Sequence, residues 1–248
     1  MFSLSGKTAL ITGATGGIGS AIARTFHAAG ASVALSGRQV DKLESLATEL
    51  GERAYVVPCD LANKEQVAKL IDAATAKLGR VDILVNNAGI RISKPFGEFT
   101  NKDFDQVIWV NLKAAFMASQ AVIPAMKANG GGRIINIASQ MGLVTDQDVS
   151  LYGLTKAALI HLTKSMAFEL APYNILVNAV SPGPTMTEFN VDRTTKNPAL
   201  KTRRLSYLRT GHYVNPEEIA EVVAFLATTN AASMLGHNLI VDGGYVTH

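Results

Sequence analysis

The stretch from Thr8 to Gly30 constrains the fold more than any other. Thr8 to Thr12, through Ala9, Leu10 and Ile11, is a short apolar run that opens into Thr12-Gly13-Ala14-Thr15-Gly16-Gly17-Ile18-Gly19. An unbroken apolar run bounded by glycines reads as a strand of a parallel sheet, buried on both faces. Behind the glycines, Ile18, Ile22, Ala23 and Phe26 recur at helical spacing, and Gly30 closes the helix. Strand, glycine turn and helix in this order present free backbone N–H groups and a helix N-terminus to a pyrophosphate. Glycines suit such a turn because a side chain would block the close approach of the phosphate. Gly13, Thr15, Gly17, Ile18 and Gly19 are therefore candidate cofactor contacts, with the spacing Gly-x-x-x-Gly-x-Gly rather than Gly-x-Gly-x-x-Gly. A flexible connection with no ligand is the competing account.

The same alternation continues. Ser32 to Ser36 reads as a second strand, Asp41 to Gly51 as a helix, Ala54 to Val57 as a third strand, Asn63 to Leu78 as a helix and Val81 to Val85 as a fourth strand. In NAD sites an acidic residue ends the second strand and binds the ribose hydroxyls. Here Gly37 stands at that place and Arg38 follows it. A guanidinium pairs bidentately with a 2′-phosphate, where a carboxylate would repel it. The expectation is NADP(H) in preference to NAD(H), with NAD(H) still open and a solvated arginine as the alternative. Asp60, with Leu61 next to it, accepts a hydrogen bond from an adenine amino group or caps the following turn; the sequence leaves both open. Asn86-Asn87-Ala88-Gly89 ends the fourth strand, where ligands bind in open α/β sheets. Asn86 reads as structural, and Asn87, Ala88 and Gly89 as passing close to the cofactor.

Composition bounds the rest. At 248 residues, nearly half of them apolar, the chain has enough material for one sizeable core, and its formal charge of +3 does not mark a nucleic-acid binder. The single Cys59 cannot form an intramolecular disulfide, which points to a reducing, cytoplasmic setting. No apolar run was expected to approach a membrane span, the residues from Met1 to Lys7 do not read as a secretory signal, and no metal site is expected.

In the second half, Asn101 to Ala128 is helical in pattern, interrupted by the polar Asn111. Arg133 to Ala138 reads as the fifth strand, with Ser139 at its end, placed to turn the chain or to hydrogen-bond a substrate carbonyl. Tyr152 opens a helix running to about residue 171. Lys156, four residues on, lies on the same helix face. A phenol is a weak acid, and an ammonium nearby favours the phenolate, so the pair is a plausible proton donor and acceptor. Ile175 to Val180 is the sixth strand, and Ser181-Pro182-Gly183-Pro184-Thr185-Met186-Thr187 follows as a rigid turn. Residues 188 to 215 are expected to be the least regular stretch. Pro216 starts a helix, and Leu239 to Val241 is the last strand.

Gly13/Gly17/Gly19, Asn86-Asn87-Ala88-Gly89, Asn111, Ser139, Tyr152-x-x-x-Lys156, Ser181-Pro182-Gly183 and Val241-Asp242-Gly243-Gly244 occur in order across the chain. In this it resembles the short-chain dehydrogenase/reductase family. The resemblance implies that Tyr152 is the general acid in reduction and the base in oxidation. It implies that Lys156 lowers the pKa of Tyr152 and binds nicotinamide-ribose hydroxyls, that Ser139 polarises the carbonyl, and that Asn111 holds a water linking Lys156 to solvent. Pro182, Gly183, Thr185 and Thr187 would lie beside the nicotinamide, and 188–215 would cover the substrate as a lid.

The expected architecture is a single domain over 1–248, a Rossmann-type doubly wound parallel sheet of about seven strands with helices on both faces. Residues 1–90 would mainly bind cofactor and 91–248 would carry catalysis and substrate. The expected activity is reversible hydride transfer between a secondary alcohol and a ketone. Gln140, Met141, Asp146, Gln147 and Asp148 suit a polar or anionic compound such as a sugar acid. Arg193, Lys196, Lys201, Arg203, Arg204 and Arg209, together with Arg91, could attract an anion, although a solvated or subunit-contacting surface is the favoured reading. A 3-oxoacyl-thioester reductase of the same family and a non-catalytic nucleotide-binding protein are the alternatives. Family members commonly form homotetramers through the helices around 111–128 and 152–171, and no nucleic-acid or membrane partner is expected.

Overall fold

The computed structural model describes residues 2–228 and 231–247, apart from the side chains of Phe189, Asp192, Arg193, Thr194 and Leu200. Met1 and the side chain of Arg193, both invoked above, thus lie outside the described residues. Strands β1 (Thr8–Thr12), β2 (Ser32–Gly37), β3 (Ala54–Pro58), β4 (Ile83–Asn86), β5 (Gly132–Ile137), β6 (Ile175–Pro182) and β7 (Asn238–Val241) form one sheet. Its order is β3-β2-β1-β4-β5-β6-β7 and every pairing is parallel, from Thr8 beside Ser32 to Pro182 beside Val241. The order reverses between β1 and β4, so a crevice opens there at the carboxyl ends of the strands.

Successive side chains of a strand point to opposite faces, and a strand covered on both sides must be apolar at both. Ala9, Ile11, Val33, Leu35, Ile83 and Val85 face helices α1 (Gly17–Ala28), α2 (Val40–Leu50) and, on the other side of the switch point, α9 (Pro216–Ala227). Leu10, Ala34, Leu84 and Ile134 face α3 (Lys64–Leu78), α5 (Ala114–Ala128) and α6 (Ser150–Leu170). Phe26, fully buried between α1 and the sheet, contributes about 1.5–3 kcal/mol by burial. Helix starts are set locally. Asn63 Oδ1 accepts the N–H groups of Glu65 and Gln66 at the head of α3, and Glu218 Oε2 accepts the Asn215 N–H at 2.7 Å ahead of Pro216.

Three expectations need correction. The segment expected as one helix from Asn101 is α4 (Asn101–Ile108), a π turn over Trp109–Lys113, and α5. The extra residue of the π turn swings Asn111 inward, where it is 1% exposed. The whole Asn101–Ala128 stretch is also long and apolar enough, by length and composition alone, to cross a bilayer. Here it packs Ala114, Ala118, Val122 and Met126 onto the sheet. Finally, the stretch expected to be irregular holds two helices, α7 (Glu188–Lys196) and α8 (Pro198–Tyr207). Its many charged residues dilute the apolar stripe by which a helix is recognised, but Thr187 caps α7 and Pro198 opens α8.

Candidate active site

The glycine turn is shaped by the protein before any ligand is considered. Gly13 has φ of +65°, and a Cβ there would lie 2.9 Å from both Ala88 Cα and Asn87 Nδ2. A Cβ at Gly19 would strike the Gly13 carbonyl oxygen and lie 2.6 Å from Asn87 Nδ2. At Gly17 a Cβ would meet Thr187 Cγ2 at 2.7 Å. Contact with the chain's own atoms thus calls for glycine at Gly13 and Gly19 independently of any phosphate, while at Gly17 the neighbour is the Thr187 side chain. Thr12 fastens the turn to the end of β4. Its hydroxyl donates to the Val85 carbonyl at 3.2 Å and accepts the N–H groups of Asn87 and Ala88 at 3.0 and 3.1 Å. The Asn87 amide donates to the carbonyls of Thr12 and Gly13 at 2.9 and 3.1 Å. Asn86 is structural as expected, its amide reaching Ser119 on α5 and Asn136 on β5.

Beyond this turn lies a cavity of about 500 Å³. It runs along the ends of β2, β4, β5 and β6, with Ile18 of α1 on its wall. Of the candidate residues, Ile18, Arg38, Asn87, Gly89, Ser139, Tyr152, Lys156, Pro182, Gly183, Thr185 and Thr187 line it. Thr15 stands behind the rim, its hydroxyl 3.6 Å from where a Cβ of Gly37 would be. Asp60 and Leu61 lie elsewhere. The Asp60 carboxylate accepts the Ala62 N–H at 3.0 Å through Oδ1, which forms the turn and leaves Oδ2 available as an acceptor. Leu61 and Ala88 border a separate small hollow against α5, and the Leu61 carbonyl accepts Trp109 Nε1–H at 2.7 Å.

At the closed side of the cavity stand the reacting groups. Burial pushes the Tyr152 phenol up, against the Ser139 hydroxyl that hydrogen-bonds it and the positive charge of Arg91. The Arg91 guanidinium carbon sits 5.9 Å from the centre of the Tyr152 ring, and the Lys156 ammonium 5.7 Å from it. Lys156 is 3% exposed and donates to the Ile137 carbonyl at 2.7 Å; burial pushes its amine down to about 8. Ser139 and Arg91 oppose burial at the Tyr152 phenol, and the Lys156 ammonium stands beside the same ring. Asn111 is tied into the wall behind these groups. Its Oδ1 accepts the Ile90 N–H at 2.8 Å, and its amide donates to the Ile90 carbonyl and to Thr155 Oγ1 at 2.9 and 3.1 Å. Both amide protons are therefore spent on a strut between the π turn, the loop after β4 and α6. Gly89 fits between them: a Cβ there would lie 3.5 Å from Asn111 Oδ1 and 3.6 Å from Lys156 Nζ.

Sequence reasoning missed Asn190 and Tyr245, which also line the cavity. For Tyr245 a signal existed. Gly243 and Gly244, at φ of +64° and +82°, turn the tail back over the site, and the Asp242 carboxylate accepts the N–H groups of Gly244 and Val246 at 2.9 Å each. Among the described residues no cluster of metal-ligating side chains occurs. The residues do fit a dinucleotide: a glycine turn opening a helix at one end, and Arg38 exposed on the rim with no carboxylate of a described residue paired to it. A buried amine with donors left over stands at the other end.

A family model described as enoyl-(acyl carrier protein) reductase matches residues 13–246. The chain is 42% identical over 249 residues to nodulation protein G of Rhizobium sp. (strain N33), covering 98% of each. It is similar to the 3-ketoacyl-(acyl-carrier-protein) reductase of Brucella melitensis solved with NADH, with a TM-score of 0.90 at 33% identity over 98% of this chain and 99% of that one. It is also similar to a gluconate 5-dehydrogenase from Burkholderia cenocepacia J2315 solved with NADP and tartrate. There the TM-score is 0.93 at 34% identity over 100% of this chain and 98% of the other.

Proposed function

The chain belongs to the short-chain dehydrogenase/reductase family, and on that premise we propose that it is an NADP(H)-preferring enzyme for a small polar alcohol/ketone pair, with Tyr152, Ser139, Lys156 and Asn111 as its working residues. It is an oxidoreductase that interconverts an alcohol and a ketone with a nicotinamide cofactor. Membership in the family makes the non-catalytic reading unnecessary. The observation that carries the proposal is the meeting of Ser139, Tyr152 and Lys156 on one cavity wall, with the glycine turn at the other end.

The cofactor supplies or accepts the hydride. The chain's residues handle the oxygen and its proton. A phenol held up by burial keeps its proton at neutral pH and donates it to the carbonyl oxygen as the alcohol forms. In the reverse direction the phenolate takes that proton from the alcohol, with the Arg91 charge beside it. Ser139 hydrogen-bonds the same oxygen and stabilises its developing charge. Lys156, anchored on the Ile137 carbonyl, keeps two donors for the ribose and a positive charge near the phenol. Asn111 braces the loop after β4 against α6 and holds the water that links Lys156 to solvent.

Arg38 is read as the clamp for a 2′-phosphate, since Gly37 leaves no carboxylate at the ribose. Arg38→Asp lowers the NADPH/NADH affinity ratio by about 10- to 100-fold, measured by fluorescence titration. An unchanged ratio makes Arg38 a bystander. Subunits associate through α4–α5 and α6, where Phe104, Phe116, Leu154 and Phe168 are exposed large apolar residues, and a cytoplasmic homotetramer is the expected form. The similarity to acyl-carrier-protein reductases keeps 3-oxoacyl-thioester reduction as the second reading.

A further inference from the structure

The cavity wall carries a charge that neither the catalytic residues nor the glycine turn explains. Arg204 on α8 lines the cavity and is 7% exposed. Its one side-chain hydrogen bond is from Nη1 to Asn190 Oδ1, at 3.2 Å, and no carboxylate of a described residue pairs with it. The residue before it behaves differently. Arg203 grips Asp146 with one nitrogen against both carboxylate oxygens, at 2.8 and 3.0 Å. Asp146 is the acidic residue among those lining the cavity, and its charge is thus already balanced from outside. Arg91 and Lys156 line the same space. A guanidinium taken out of water without an anion is costly, and the cost is recovered when a ligand brings the anion.

A second observation points to the rest of that ligand. Gln140, 3% exposed and also on the cavity wall, has a side-chain oxygen with no hydrogen-bond partner. That oxygen is sealed from solvent as it stands, and a hydroxyl donor satisfies it once the amide turns toward the cavity. The two walls are packed together: Met141 and Val144, beyond Gln140, join Leu205 and Leu208, beyond Arg204, in one apolar cluster with Tyr213 and Tyr245.

Resting on the reading that this cavity holds a small polar alcohol or ketone, we propose that Arg204 anchors a carboxylate on the substrate and Gln140 accepts one of its hydroxyls. The substrate class is a short hydroxylated acid and its keto counterpart. An acyl thioester on a long carrier arm brings no carboxylate to Arg204.

Calorimetry on the NADP⁺-loaded protein tests this with matched probes: tartrate against threitol and gluconate against glucitol, each pair differing in carboxylate for CH₂OH. The wild type binds the acids more tightly, and Arg204→Met reduces the acid/alcohol affinity ratio by about 10- to 100-fold. Arg204→Lys, which keeps the charge and loses the fork, falls between them and carries the test if Arg204→Met no longer binds NADPH. Equal affinity for acid and alcohol, no binding of either acid, or a ratio unmoved by both substitutions overturns the proposal. Turnover of the same four compounds is followed separately. Arg204-dependent acid binding with no turnover of any hydroxylated compound leaves the anion site standing and overturns the reading of the cavity as an alcohol/ketone site.

Discussion

The two ends of the cavity are built on opposite terms. At the glycine turn the supporting side chains are satisfied from within the chain: Thr12, Asn86 and Asn87 tie β1, β4 and β5 together, and what is left for a ligand is the uncapped N-terminus of α1. At the catalytic end Lys156 is buried on a single carbonyl, the Tyr152 phenol is pushed up by burial, and the Gln140 oxygen has no partner. One end is a finished scaffold. The other holds groups whose interactions inside the chain are incomplete, as a site that must complete them with substrate requires.

The largest test of this contrast removes one oxygen from the incomplete end. Tyr152→Phe lowers kcat by about 10³-fold, while NADPH titration still shows binding, because the glycine turn does not depend on the phenol. Substantial residual turnover in steady-state assays would place the proton donor elsewhere and leave Tyr152 as a wall of the cavity.

The next test strikes the finished end. Gly19→Ala forces a methyl group against the Gly13 carbonyl and Asn87 amide, and costs about 1–3 kcal/mol or more, read as a fall in the urea midpoint without any ligand. Gly16→Ala, whose nearest neighbour would be the Gly13 oxygen at 3.5 Å, stays within about 0.5 kcal/mol. If Gly19→Ala were neutral in stability and lost only cofactor affinity, the glycines would serve phosphate alone and the contrast would fail.

The same contrast explains what could be read in advance. The glycine turn, the strands and the Tyr152/Lys156 pair are local patterns, in which neighbours in sequence are neighbours in space, and the sheet order follows from parallel strands that need crossovers. The substrate wall is assembled from the turn at Gln140, from Asn190 on α7, from Arg204 on α8 and from Tyr245 in the tail. No local periodicity links these four, and the charged run on α7 and α8 reads as solvated surface. That Arg203 turns out to Asp146 while Arg204 turns inward is decided by tertiary contacts. Asn111 lies between these cases. Its presence was legible, but its bond to the Ile90 backbone required the π turn, which no residue pattern announced.

The smallest effect is also the most direct measure of incompleteness, because it weighs the catalytic end in stability. Burial holds the Lys156 amine at about 8. In the unfolded chain a lysine titrates at about 10.4. Between these values the unfolded chain keeps a proton that the folded protein has released, so the unfolded state binds more protons and stability rises with pH. Below about pH 8 both states are charged and the full cost of burying the ammonium is present; above about 10.4 both are neutral and the cost is gone. Tyr152, pushed up by burial, is present in both the wild type and a Lys156 variant, so the difference between the two at each pH isolates the amine. Lys156→Met is therefore more stable than the wild type at about pH 7, by about 1–3 kcal/mol, and the gap narrows toward about pH 9.5 as the wild type gains. Urea denaturation at the two pH values reads both quantities. Parallel curves, with the variant the less stable at each pH, would mean that Ile137 and its surroundings fully repay the ammonium, and that the catalytic end is as complete as the glycine turn.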